Sequence, residues 1–104
     1  MPIFENPYIQ KVLHHPDIIS ESNIYTSFKG RWNEYFENTY PIVLEIGTGM
    51  GNFFAQMIDK NPKQNYIGFE LRFKRLFSTA NKAQEVYYKK QKEKNPLSPT
   101  LKKR

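Results

Sequence analysis

Five residues of this 104-residue chain have the types and spacing to do chemistry together: Glu45, Gly47, Gly49, Gly51 and Glu70. Glycines at alternate positions directly after the apolar run Ile42-Val43-Leu44-Glu45-Ile46 mark a tight loop. Such a loop needs positive φ values, and a Cβ would stop its backbone from approaching a ligand. Glu45 stands two residues before Gly47, and Glu70 stands nineteen residues after Gly51, closing Tyr66-Ile67-Gly68-Phe69-Glu70. A carboxylate at a strand tip can accept hydrogen bonds from adjacent ribose hydroxyls. The chemistry on offer is therefore recognition of a nucleotide-like ligand. The plainer alternative is a pair of surface carboxylates at strand ends.

Glycine loops after a first strand serve NAD, FAD and S-adenosyl-L-methionine alike, so the surroundings must separate them. In the dinucleotide fingerprint the third glycine follows the second by three residues and the pyrophosphate sits on the helix N-terminus. Here the spacing is two, and Glu45 would repel a pyrophosphate. The same carboxylate would offset a sulfonium charge or accept a hydrogen bond from an amino group. This favours S-adenosyl-L-methionine over NAD. Glu70 suits either ligand.

These residues need a strand, a helix and a second strand to hold them. Ile42–Ile46 reads as a buried strand, Asn52–Lys60 as a helix with Phe53, Phe54, Met57 and Ile58 on one face, and Asn61-Pro62 as its stop. Tyr66–Phe69 reads as a second strand, parallel to the first and connected right-handedly. A further amphipathic helix is expected from Arg72 to about Tyr88, with Phe73, Leu76, Phe77, Ala80, Ala83 and Tyr87 inward and Arg72, Lys74, Arg75 and Lys82 outside that stripe. Upstream, Ser27–Phe36 reads as one helix carrying Phe28, Trp32, Tyr35 and Phe36 on an aromatic face, with Trp32 anchoring the N-terminal arm. Residues 1–23, with prolines at 2, 7 and 16, read as an irregular arm with at most a helical turn around Ile9–His14. His14 and His15 are adjacent and would diverge on helix or strand, so they read as surface histidines, and no metal site is expected.

The formal charge of +6 has an address. Residues 89–104 hold seven cations against Glu93, whereas residues 1–88 are balanced at nine of each sign. A Lys-rich tail can attract phosphate, yet its composition reads first as a solvated, disordered end. The division is then 1–40, arm and aromatic helix; 41–88, a partial cofactor-binding βαβ unit; 89–104, a basic tail. No run approaches the roughly 20 apolar residues of a membrane span, and the N-terminus lacks a basic segment followed by an apolar one, so a soluble, unexported protein is expected. Without cysteine, disulfides, thiolate catalysis and the usual Cys-based zinc sites are excluded.

Lys29-Gly30-Arg31-Trp32-Asn33-Glu34, then Leu44-Glu45-Ile46-Gly47-Thr48-Gly49-Met50-Gly51, then Asn61-Pro62 and Asn65-Tyr66-Ile67-Gly68-Phe69-Glu70-Leu71 closely resemble, in order, the first half of bacterial tRNA (guanine-N7)-methyltransferases. His15-Pro16-Asp17 is similar to that family's N-terminal arm, and the likeness runs from about Pro16 to about Ala83. The resemblance implies an α/β, Rossmann-like class I methyltransferase fold, truncated to about its first two parallel strands and their helices. It implies that Glu45 and Glu70 match two cofactor-binding acidic positions. Gly47, Gly49 and Gly51 match the loop around the methionine end of S-adenosyl-L-methionine. The implied activity is methyl transfer to guanine N7 in tRNA, with tRNA as partner and the cytoplasm as location. Which tRNAs, and what oligomeric state, the sequence leaves open.

The family's later cofactor contacts, its Asp-Pro-Trp-Pro segment, its basic tRNA-binding run and its C-terminal Thr-x-Phe-Glu-type motif belong to a second half that has no counterpart here. After Ala83 the pattern gives way to Gln84-Glu85-Val86-Tyr87-Tyr88-Lys89-Lys90-Gln91-Lys92-Glu93-Lys94-Asn95-Pro96. A truncated or frameshifted product is the expectation, and no residue receives a catalytic role. A family-like second half in another frame of the coding DNA would support a frameshift; its absence would rule that origin out. Two strands and a few helices make a small core with an unpaired sheet edge. Purified monomer should therefore melt at low temperature and with poor cooperativity; a sharp, high-temperature transition would contradict this.

Overall fold

Each strand's backbone needs a partner, and the two strands supply one another. The computed structural model describes residues 6–94 and orders them as α1 (Tyr8–Leu13), α2 (Ser22–Ser27), α3 (Trp32–Phe36), β1 (Ile42–Ile46), α4 (Asn52–Lys60), β2 (Asn65–Phe69) and α5 (Phe73–Lys94). β1 and β2 pair in parallel from Ile42 opposite Asn65 to Ile46 opposite Phe69. The small Rossmann-like α/β arrangement expected of the sequence is thus present, with α4 as the connection between parallel strands.

Alternation along the strands puts Val43 and Glu45 on one face with Tyr66 and Gly68, their partners in register. That face is covered. The Phe54 ring meets Tyr66 edge-on at 6.1 Å, and a Cβ on Gly68 would lie 2.7 Å from Thr48 Cγ2 and 3.1 Å from the Phe54 ring. Only glycine lets helix and loop sit this close to β2. The Tyr66 hydroxyl lies 2.7 Å from the Asn61 carbonyl oxygen and 2.9 Å from that of Met57, so its one proton reaches one of the carbonyls that end α4, and burial pushes the phenol pKa up. The opposite face carries Ile42, Leu44, Ile46 and Phe69, all exposed, with Ile46 at 84%.

Outward from the covered face, α5 packs on α4 and α1 on α5. The buried apolar side chains among the described residues are Val12, Phe54 and Ile58, which is a small core. Polar pairs take over where apolar area is short. Asn38 and Asn65 exchange side-chain amide hydrogen bonds of 3.1 and 2.8 Å, Asn33 Nδ2 donates to the Tyr40 carbonyl at 3.0 Å, and Asn65 N donates to the Pro41 carbonyl at 2.8 Å. These bonds fasten the end of α3 to the beginnings of both strands.

Besides the reading of Ile42–Ile46 as a buried strand, which the exposure of Ile42, Leu44 and Ile46 overturns, three expectations need correction. The single helix expected over Ser27–Phe36 is helical only over Trp32–Phe36, with Ser27 closing α2, because Gly30 takes φ +75° and Arg31 leaves the helical region. The aromatic set still closes into a cluster, with Phe28, Trp32 and Tyr35 ring centroids 5.1–5.5 Å apart. Within it, Tyr35 lines a cavity together with the arm residues Leu13, Ile18 and Ile19. Secondly, α5 runs to Lys94, six residues past its expected end, so the first part of the supposed tail is helical. No glycine or proline falls between Gly68 and Pro96, and Lys, Gln and Glu favour helix. Residues 95–104 of that tail lie outside the described residues.

The third correction is His15, which is not a surface histidine but 9% exposed. Its Nδ1 accepts from the Asp17 backbone N–H at 3.1 Å, so the proton sits on Nε2 and donates to Asn81 Oδ1 at 2.9 Å. The ring stands edge-on to Phe77, and Gln84 Nε2 donates to Asp17 Oδ2 at 3.1 Å. His15 is the pin that holds the arm to α5. His14 remains exposed. We expect His15→Ala to destabilise the chain by about 1–3 kcal/mol by leaving Asn81 and Asp17 N–H without partners. His14→Ala should stay within about 0.5 kcal/mol; urea denaturation of both variants reads the contrast.

Candidate cofactor-binding site

The chain reverses between β1 and α4 in five residues, and the reversal is built on left-handed backbone. Gly47, Gly49 and Gly51 have φ values of +77°, +59° and +91°. A Cβ on Gly47 or Gly49 would meet nothing within 4 Å, so these two glycines serve conformation and leave space beside the loop. Gly51 is different. A Cβ there would fall 2.5 Å from the Thr79 Cα, because the loop rests on the backbone of α5.

Every peptide of the reversal is tied down. Gly47 N and Thr48 N donate to the Phe69 carbonyl at 2.8 and 3.2 Å, extending the β1–β2 pairing into the loop. Gly49 N donates to Glu70 Oε1 at 2.8 Å, while Arg72 N donates to Glu70 Oε2 at 3.0 Å. On the other side, Thr79 Oγ1 donates to the Gly49 carbonyl at 3.0 Å and Ser78 Oγ to that of Met50 at 2.8 Å.

Glu70 is thus brought into direct contact with the glycine loop. The backbone N–H donors, Arg72 first and Gly49 next, hold its carboxyl pKa below the ordinary carboxylate value. It stays ionised with its oxygens fixed in place. Glu45 lies on the covered face of β1, opposite Gly68 in register. Its Oε1 is buried and has no hydrogen-bond partner. A buried carboxylate oxygen without a donor is costly unless something supplies one. The covered position of that oxygen beside β2 sets it apart from the open space that Gly47 and Gly49 leave along the loop.

Thr48, Ser78 and Thr79 were not singled out by the sequence. The signal was faint: Thr79 falls three residues after Leu76 and four before Ala83, inside the apolar stripe of α5, where a hydroxyl needs a specific partner. Among the described residues no cluster of His, Asp or Glu could hold a metal ion, and no helix is long and apolar enough to cross a membrane.

Comparison with known proteins points the same way as this geometry. A family described as "Putative methyltransferase" matches residues 39–95, from just before β1 to the end of α5. The chain is 44% identical over 81 residues to a bifunctional glycosyltransferase/methyltransferase of Fusobacterium nucleatum subsp. nucleatum, covering 77% of this chain and 13% of that protein. It is 54% identical over 54 residues to the tRNA (guanine-N(7)-)-methyltransferase of Geobacillus sp. (strain WCH70), covering 52% of this chain and 24% of the relative. With the corresponding enzyme of Pediococcus pentosaceus it shares 38% over 73 residues, 69% of this chain and 34% of the relative. The chain therefore spans about a third or less of the length of these relatives. With the matched segment taking in the whole glycine loop and both acidic residues, and with tRNA (guanine-N7)-methyltransferases among its relatives, this chain belongs to that methyltransferase family.

Proposed function

We propose that this chain carries the S-adenosyl-L-methionine half-site of a tRNA (guanine-N7)-methyltransferase. The observation that supports it best is the pairing of a fixed, ionised Glu70 on the Gly49 amide with a Glu45 oxygen that lacks a donor. Glu70 would accept from the ribose hydroxyls, each of its oxygens having a lone pair beyond the one used on the backbone. Glu45 would take up the amino group or face the positive charge of the methionine end. Gly47 and Gly49 would let the backbone lie against the ligand. When bound, S-adenosyl-L-methionine supplies a methyl group on a positively charged sulfur.

A guanine N7 has its own lone pair, so transfer depends on alignment and requires no general base. No described residue is assigned a proton-transfer role. Holding the tRNA is a task for surfaces beyond the half-site, so this chain alone should incorporate little or no labelled methyl into tRNA, and efficient incorporation would refute that expectation. A non-catalytic cofactor- or RNA-binding remnant is the second reading, and salt-dependent RNA binding without methyl transfer would support it. A cytoplasmic location belongs to both readings.

Isothermal titration with S-adenosylhomocysteine tests the site directly. Binding should weaken about 10- to 100-fold in Glu70→Ala, the worth of hydrogen bonds to a charged group; equal affinity in the variant, or no binding by folded wild type, would sink the proposal. The Glu70 pKa also gives a pH signature. Because the folded value is lowered, the stability it contributes is fully present above the unfolded carboxyl value of about 4.3 and is lost as pH falls through the lower folded value. The Gly49 amide resonance should titrate below about pH 4.3, and should not do so in Glu70→Ala.

A further inference from the structure

Thr79 is 4% exposed and sits on a helix, where a threonine hydroxyl ordinarily bonds back to its own preceding turn. Here it reaches out of the helix to the Gly49 carbonyl at 3.0 Å. A hydroxyl has one proton. With that proton committed to Gly49, the 3.0 Å contact between Thr48 Oγ1 and Thr79 Oγ1 must be a donation from Thr48. The result is a directed chain, Thr48 to Thr79 to the Gly49 carbonyl, closed off from solvent at both threonines. One residue earlier on the helix, Ser78 donates to Met50 at 2.8 Å.

We infer that Thr79, assisted by Ser78, is a positioning residue for cofactor binding: the hydroxyls of α5 set the orientation of the glycine-loop peptides that face the ligand. The inference rests on the cofactor reading above. Glu70 fixes the peptide before Gly49 through its N–H, Thr79 fixes the peptide after it through its C=O, and Ser78 fixes the next one. Gly49 is free to take other conformations, having no Cβ and no neighbour within 4 Å of where one would be. Without the two-sided hold, both flanking peptides could turn and the Gly49 N–H would leave Glu70. A loop ordered before binding spares the ligand that ordering cost.

The variant that isolates the hydroxyl is Thr79→Val, which keeps the branched shape and removes the donor. Titrated with S-adenosylhomocysteine well below its melting temperature, it should bind about 10-fold more weakly, and Thr79→Ser should restore wild-type affinity. The Gly49 amide resonance should shift and exchange faster in Thr79→Val, whereas the β1–β2 amides keep their protection. Wild-type affinity together with an unmoved Gly49 amide in Thr79→Val would overturn the inference. Uniform loss of protection across β1 and β2 would also overturn it, because the hydroxyl would then support the fold as a whole. If wild-type protein does not bind S-adenosylhomocysteine, the cofactor reading fails by itself, and the Gly49 resonance in unliganded Thr79→Val still decides whether the hydroxyl orients the loop. Should Thr79→Val not fold, Ser78→Ala, at a half-buried position, replaces it: about threefold weaker binding is expected, and unchanged binding overturns the inference.

Discussion

The hydrogen bond from the Gly49 amide to Glu70 is the contact on which the rest of the structure turns. It joins the end of β2 to the loop that follows β1, two places separated by twenty-one residues of chain. A loop of alternating left-handed glycines has little to hold it internally, because residues without side chains bring no packing of their own. Its shape must be imposed from outside. Phe69, Glu70, Ser78 and Thr79 impose it from three directions: the sheet below, the strand tip in front and α5 behind. Gly51 and Gly68 then matter as absences, since a methyl group at Gly51 would push α5 away from the loop and one at Gly68 would push the loop and α4 away from β2.

The parts of this arrangement that are local in sequence could be read from it. The apolar run ending in glycines located β1 and the loop, α4 fell between its glycine start and its Asn61-Pro62 stop, and Glu70 lay where the second strand had to end. What escaped depended on distant partners or on competing patterns. The spacing of Phe28, Trp32, Tyr35 and Phe36 fits one helix, yet two short helices turned at Gly30 bring the same rings together. His15 could not be recognised as buried because its partner, Asn81, is sixty-six residues away. A Lys-rich sequence read as low complexity continues α5 because nothing in it breaks a helix.

The burial pattern of the sheet also has a physical logic. One face is closed by Phe54, Thr48 and the helices beyond, while Ile42, Leu44, Ile46 and Phe69 line the other, which no helix among the described residues covers. Stability must then come disproportionately from the α4–α5–α1 stack and from amide pairs such as Asn38–Asn65. Leu71, at 97% exposure directly after Glu70, extends the uncovered apolar surface to the rim of the site. The site and the open face therefore share a border.

α5 touches three separate parts of the molecule with different stretches of one rigid rod. Ser78 and Thr79 hold the loop, Phe77, Asn81 and Gln84 hold the arm through Tyr8, His15 and Asp17, and Lys90 reaches Asp59 on α4 at 3.3 Å. The loop contacts and arm contacts interleave within two turns of helix, so the arm cannot swing or detach without passing torque to the helix that orients Gly49. The N-terminal arm, whose described residues contribute no atom to the loop's own hydrogen bonds, is in this sense mechanically in series with it.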